Sequence, residues 1–258
     1  MIRRSLLAVA LPALLAAAPA RAQAPGATLT VAAAANLKTA AEELRQAFEA
    51  ERPGVRVALT FGASGAFFAQ LRNGAPFDVF LSADRDYPAK VIAAGLADAA
   101  DEKVYALGRL VVWLPPGSTV PLEQRGLAAL ADPGVRRIAI ANPALAPFGR
   151  AAEQALRAAG VWDAVRPRLV LGTSVGQAAQ FASTGAADVA FLPSSLALGK
   201  ELAAGRAVPV PEALVPGIAQ SGVVLRTARD PALARAFLAF LTGPKGRAVL
   251  AKYGYGLP

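Results

Sequence analysis

The sequence contains no cysteine and no histidine, and only one methionine. Without cysteine there is no disulfide, no thiolate metal site and no cysteine nucleophile. Without histidine, a Ser-His-Asp triad, a His-ligated zinc and a haem with a histidine axial ligand are excluded. Hydrolysis by carboxylates or by a Ser-Lys pair stays open. Charge is also scarce, at 17% of residues against 55% hydrophobic, a balance that belongs to globular chains and not to disordered ones. No basic run is interleaved with aromatics, so nucleic acid is not an expected partner. The 258 residues allow one large or two modest domains, with a core big enough to need no disulfides.

The chain begins with a leader pattern. Arg3 and Arg4 precede an apolar stretch, Leu6–Ala18, and then an A-x-A site, Ala20-Arg21-Ala22. This is the order of a secretory signal peptide, and the apolar run is short for a membrane span and interrupted by Pro12. Residues 1–22 are therefore expected to be removed, leaving an exported, soluble chain that starts near Gln23. They carry three arginines and no acid, so the formal charge falls from +9 to +6 on cleavage. That excess fits either a solvated arginine-rich surface or attraction of small anions or of a membrane surface.

The most informative stretch is Thr28–Phe48, TLTVAAAANLKTAAEELRQAF. It opens as an apolar run and changes period at Asn36, after which Leu37, Ala40, Ala41, Leu44, Ala47 and Phe48 recur at helical spacing. A buried strand feeding a helix leaves free N–H groups at the junction, and the helix dipole makes that junction attractive to anions. A second such junction follows one strand later, where Val55–Thr60 alternates and Gly62-Ala-Ser64-Gly65 opens a helix over Ala66–Arg72. Asn36 and Ser64 sit at these junctions. From residue type alone they read equally as helix caps.

Asp78–Ser82 is a third, buried strand, followed by a helix with Asp84 and Asp86 in its first turn. The βαβαβα order predicts a parallel sheet with helices on both faces. Val104–Leu114 is a long strand-like stretch broken at Gly108, which reads as a crossing into a second lobe. A second α/β unit follows, with strands at Arg137–Ala141, Arg168–Leu171 and Ala187–Leu192. Gly217–Leu225 reads as a strand returning to the first lobe, and two helices close the chain. The expected class is α/β with two lobes: residues 23–108 plus 218–258 form lobe I, residues 109–217 form lobe II, and two crossings act as hinges. No internal repeat is apparent.

Four stretches together resemble the periplasmic molybdate-binding protein of ABC importers, a type II solute-binding family. They are VAAAANL at Val31–Leu37, FGAS at Phe61–Ser64, GAPFDVFLSAD at Gly74–Asp84, and the ending Leu241-Thr-Gly-Pro-Lys with Lys252-Tyr-Gly-Tyr255. The resemblance runs from about Leu29 to Tyr255. It implies one tetrahedral molybdate or tungstate dianion held between the lobes by neutral donors, no cofactor, no catalysis, a periplasmic location, a monomer, and delivery to the transmembrane subunits of an ABC permease. It carries the ligand positions onto Asn36, Ser64, Phe148 and Val175, the last two through backbone N–H. Asp84 falls on a position that determines the fold. A tyrosine hydroxyl of some members falls on Pro193, which has neither hydroxyl nor N–H; Ser194 or Ser195 would have to replace it. Phe148 is bulkier than the small residue of some members.

Such a site is chemically coherent. Molybdate carries two charges and no proton at neutral pH, so it accepts hydrogen bonds and donates none, and a carboxylate would repel it. Selection against the smaller sulfate then rests on cavity size. Two other readings remain: the same scaffold holding sulfate, thiosulfate or another oxyanion, and an exported hydrolase pairing Ser82 or Ser221 with Lys90 or Lys245, for which no motif is present.

Overall fold

A computed structural model describes residues 26–258; the leader expected at residues 1–22 lies outside the described residues. Two five-stranded sheets organise the chain. The first is ordered β2-β1-β3-β10-β4, from β1 (Thr28–Ala34), β2 (Arg56–Gly62), β3 (Val79–Leu81), β4 (Lys103–Gly108) and β10 (Ile218–Val224). The second is ordered β7-β6-β8-β5-β9, from β5 (Leu110–Leu114), β6 (Ile138–Ala141), β7 (Leu169–Gly172), β8 (Val189–Pro193) and β9 (Arg206–Pro209). The stretch Val104–Leu114, expected to break at Gly108 and cross between lobes, is two strands in two sheets, separated by Arg109.

Both sheets are mixed where mostly parallel sheets were expected. The βαβ part of each, β2-β1-β3 and β7-β6-β8, is parallel, while β10, β4, β5 and β9 pair antiparallel. The physical reason is connectivity. Parallel neighbours need a helical crossover, whereas strands brought in by the lobe crossings enter from the opposite end. The two sheets share one strand order with no matching sequence repeat. β9, in the proline-rich segment before the second crossing, was not expected from the sequence.

The helices are α1 (Lys38–Ala50), α2 (Ser64–Arg72), α3 (Asp86–Ala93), α4 (Leu122–Arg125), α5 (Pro147–Ala158), α6 (Trp162–Val165), α7 (Val175–Ser183), α8 (Ser194–Ala197), α9 (Pro231–Thr242) and α10 (Pro244–Lys252). The first sheet is covered on both faces, as its near-continuous apolar strands require. Side chains alternate across a strand, so Leu29, Val31 and Ala33 of β1 join Leu44, Phe48, Phe237 and Leu250 on the α1, α9 and α10 side. Ala32 faces the opposite way, with Phe67, Leu71, Tyr87 and Val91 of α2 and α3. Phe48 meets Phe237 edge-on at 5.0 Å between ring centres. The alanine run keeps these helices close to the sheet. The second lobe has one contiguous core that includes Val112, Ile140, Leu156, Ala178 and Phe191.

The carboxyl ends of β1 and β2 in one lobe face those of β6 and β7 in the other, where the chain turns into α1, α2, α5 and α7. In open α/β sheets this is where ligands are bound. Among the described residues no helix is long and apolar enough to cross a membrane.

Candidate functional site

A small cleft between the lobes is lined by Ala34, Ala35, Asn36, Gly62, Ala63, Ser64, Ala83, Ala146, Pro147, Phe148 and Val175. All four residues singled out from the sequence are among them, two from each lobe. No lining side chain is charged. The space is tight, with about 10 Å³ open to the centre of a water-sized guest. Among the described residues no cluster of acidic side chains could hold a metal cation.

Each position has a local cause. α5 begins at Pro147, which has no N–H, and the N–H groups of Gly149 and Arg150 both donate to the Ala146 carbonyl, at 3.0 and 3.1 Å. The first-turn donor this leaves is the N–H of Phe148. Its ring turns towards the crossing: a Cβ on Gly108 would lie 2.6 Å from Phe148 Cζ. The bulk of Phe148 is therefore taken up against the crossing strand. In α7 the cap Ser174 accepts from the N–H of Gln177 at 3.4 Å, and its carbonyl accepts from Ala178 at 3.1 Å. That leaves the N–H groups of Val175 and Gly176 at the helix start.

Ser64 is the first residue of α2, and its hydroxyl oxygen accepts from the backbone N–H of Ala83 at 3.0 Å. A hydroxyl also carries a proton to donate, so Ala83 fixes the oxygen and leaves that proton for the cleft. The next residue, Gly65, donates its N–H to the Leu145 carbonyl of the other lobe at 2.9 Å. A Cβ there would lie 2.8 Å from that carbonyl oxygen and 2.4 Å from the Tyr87 hydroxyl, so the approach requires glycine.

Asn36 lies in a short 3-10 turn, Ala35–Leu37, ahead of α1 and not at the helix start that its periodicity suggests. It is fully buried. Its Nδ2 donates to Gln220 Oε1 at 2.8 Å and to the Tyr255 hydroxyl at 3.0 Å, and its Oδ1 has no partner. The Asn36 backbone carbonyl accepts from the hydroxyls of Tyr255 at 2.7 Å and of Ser195 at 3.0 Å. Tyr105 donates to the Ser82 carbonyl at 2.7 Å and lies 3.1 Å from Gln220 Oε1. Burial raises both the Tyr105 and Tyr255 phenols, keeping them neutral hydrogen-bonding groups.

Pro193 closes β8 with its backbone paired against Leu110. Neither following serine turns its hydroxyl into the cleft. Ser194 Oγ donates to the Gly254 carbonyl at 3.1 Å and Ser195 Oγ to the Asn36 carbonyl, so both tie the lobes together. Tyr255 and Gln220 were not singled out from the sequence as parts of the site, and Ser195, named there as a substitute donor, serves the Asn36 carbonyl instead. For Gln220 a signal existed: it is a lone long polar side chain in an apolar strand, and a buried polar residue is informative in a way an exposed one is not.

The hydrolase candidates do not meet. Ser82 Oγ donates to Asp84 Oδ1 at 2.8 Å, Lys245 pairs with Glu51 at 2.8 Å, and Lys90 lies exposed over the Tyr87 ring. Asp84 is buried in the turn after β3 and also accepts from the Tyr87 N–H at 3.2 Å. Burial pushes its carboxyl up, against the Ser82 hydroxyl, the Tyr87 N–H and the Arg150 charge.

Two lobes that hold a cleft lined by uncharged donors at strand-to-helix junctions define a small-anion trap of the solute-binding type. The chain belongs to the family of bacterial extracellular solute-binding proteins, whose model matches residues 29–256. It is 39% identical to the molybdate-binding protein ModA of Rhodobacter capsulatus over 87% of this chain and 86% of that one. It is 38% identical to ModA of Azotobacter vinelandii, over 98% of each chain. The solved structure of the Azotobacter vinelandii periplasmic molybdate-binding protein superposes with a TM-score of 0.81, at 35% identity, covering 89% of this chain and 99% of that one.

Proposed function

We propose that this protein is the exported binding component of an ABC importer, and that it captures molybdate in the interlobe cleft. The observation that carries the reading is the lining: hydroxyl, amide and backbone N–H groups from four chain junctions, with no charged side chain among them. An acceptor-only dianion is the guest such a surface suits, because the Ser64 hydroxyl and the first-turn N–H groups can donate to it and no buried counter-ion must be desolvated. The relatives named above bind molybdate, and the two agree. The role is binding, not catalysis.

Ser64 contributes its hydroxyl, Phe148 and Val175 their N–H groups, and Asn36 its side-chain amide. Tungstate, with the same charge and shape, fits the same donors. The lobes divide at residues 23–108 with 218–258 and at residues 109–217. The chain works as a monomer in the periplasm, once residues 1–22 are removed, and passes its guest to the permease's transmembrane subunits.

Calorimetric titration of the mature chain with molybdate, tungstate and sulfate tests this. Molybdate and tungstate should bind one per chain and raise the melting temperature, since a ligand that binds only the folded state at about 100 times its Kd adds about 2.7 kcal/mol. Equal or tighter binding of sulfate, or no response to millimolar molybdate, would overturn the reading.

A further inference from the structure

Among the described residues, Asn36 Oδ1 and Gln220 Nε2 are buried side-chain atoms with no hydrogen-bond partner, and they belong to the two ends of one amide pair. Both residues are fully buried. Asn36 lines the cleft, and Oδ1 is the side-chain atom it has left to offer there, because Nδ2 already serves Gln220 and Tyr255. An acceptor facing an acceptor-only dianion is repulsive. Burying an unpaired amide group is also unfavourable.

The amide oxygen and nitrogen have nearly the same size and sit on one planar group. If both amides turn over, Gln220 Nε2 donates to Asn36 Oδ1 along the same 2.8 Å line. Asn36 Nδ2 then takes the place of the unpartnered oxygen. The two tyrosines pull opposite ways and so balance the arrangements. Tyr105 spends its proton on the Ser82 carbonyl at 2.7 Å and, 3.1 Å from the Gln220 amide, can accept from Nε2 only in the turned pair. Tyr255 accepts from Asn36 Nδ2 at 3.0 Å only in the unturned one, and must swing its proton from the Asn36 carbonyl to Oδ1 in the other. Space limits the pair to such turns, since the Gln220 amide is wedged against the backbone of Gly108, where a Cβ would lie 2.3 Å from Nε2.

We propose that Gln220 is a positioning residue for the anion: it offers Asn36 two hydrogen-bonded amide pairs, and the dianion selects the one that turns Asn36 Nδ2 into the cleft. This rests on the oxyanion reading above. Gln220 does not touch the guest. It acts by holding Asn36 Oδ1 away from the guest once the pair has turned. A protonated oxyanion, which has a proton to donate, does not force the turn in the same way.

The test is a double-mutant cycle on molybdate affinity with Gln220→Met, which keeps the volume and removes the amide, and Asn36→Ser, which keeps a donor that needs no orienting. In the Asn36 background Q220M should weaken molybdate about tenfold, equivalent to about 1.4 kcal/mol. In the N36S background it should weaken it less than about threefold. Equal losses in both backgrounds would mean that Gln220 only supports the fold, and would overturn the proposal. A second measurement needs no variant: in wild-type protein labelled with ¹⁵N at its side-chain amides, adding molybdate should shift the Gln220 Nε2 protons downfield as they gain a partner. Molybdate binding that leaves that resonance unmoved would also overturn it. Failure of the wild type to bind molybdate at all would instead remove the underlying reading, and this inference with it.

Discussion

Arg150 of α5 forms an ion pair with Asp84, in the turn after β3, and so joins the two lobes beside the cleft without entering it. The same guanidinium lies 3.5 Å from Asp86 and 5.2 Å from the centre of the Tyr87 ring. Tyr87 in turn donates to the Ala144 carbonyl at 3.2 Å, and Thr39 to the Ser195 carbonyl at 3.1 Å. These contacts, with those of Gly65, Ser194 and Ser195, hold the lobes closed over the site.

Removing this clasp should weaken binding more than it weakens the fold. Arg150 is partly exposed, so the pair's own contribution is about 1 kcal/mol or less after solvent screening. Arg150→Ala should therefore raise the Kd for molybdate by up to about fivefold. The melting temperature of the unliganded chain should move little. A fall in unliganded stability with affinity unchanged would show that the pair supports lobe structure instead of closure.

Ser64→Ala removes a donor to the anion and also orphans the Ala83 N–H. Hydrogen bonds to charged partners contribute about 1.5–3 kcal/mol, so molybdate affinity should drop by about 10- to 100-fold. Calorimetry reads the affinity, and thermal unfolding without ligand should separately show a loss of about 1 kcal/mol for the orphaned N–H.

Gly108→Ala tests the crowding at the first crossing. The new Cβ would meet Gln220 Nε2 at 2.3 Å and Phe148 Cζ at 2.6 Å. Overpacking of this kind destabilises by about 1–3 kcal/mol. Because both neighbours belong to the site, the variant should lose affinity as well as stability. Gly117, with φ of 75° and nothing within 4 Å of an added Cβ, offers the contrast: Gly117→Ala should lower stability through backbone strain and leave binding intact.

Asp78 governs acid stability. Burial works to raise its carboxyl, but hydrogen bonds from Arg229, from the backbone N–H groups of Thr30 and Arg229, and from the Thr30 hydroxyl bring it down to about 2. A carboxyl lowered in the folded state stabilises fully above its unfolded pKa and loses that stabilisation as pH falls through its folded one. The contribution is on the order of 2 kcal/mol, reduced by screening at the exposed Arg229. Asp78→Asn should thus be less stable than the parent at pH 7. The gap should narrow as pH falls below about 5 and close only below about pH 2. A constant gap across that range in urea titrations would show that hydrogen-bond geometry, not charge, explains the loss.

Much of this molecule is settled by short-range pattern. The period change at Asn36, the glycine-serine turn at Ser64 and the buried run before Asp84 dictate strand, turn and helix locally, because side-chain spacing and turn chemistry act over a few residues. The absences of cysteine and histidine likewise removed whole classes of chemistry before any fold was known. What the sequence could not decide depends on residues far apart in the chain. The antiparallel halves of both sheets, the 3-10 turn at Asn36 and the destination of the Phe148 ring each depend on a partner across a crossing. So does the meeting of Asn36 with Gln220 and Tyr255, which lie 184 and 219 residues away. An amide's orientation is set by whichever donors and acceptors the fold delivers to it, and only the tertiary structure brings these ones together.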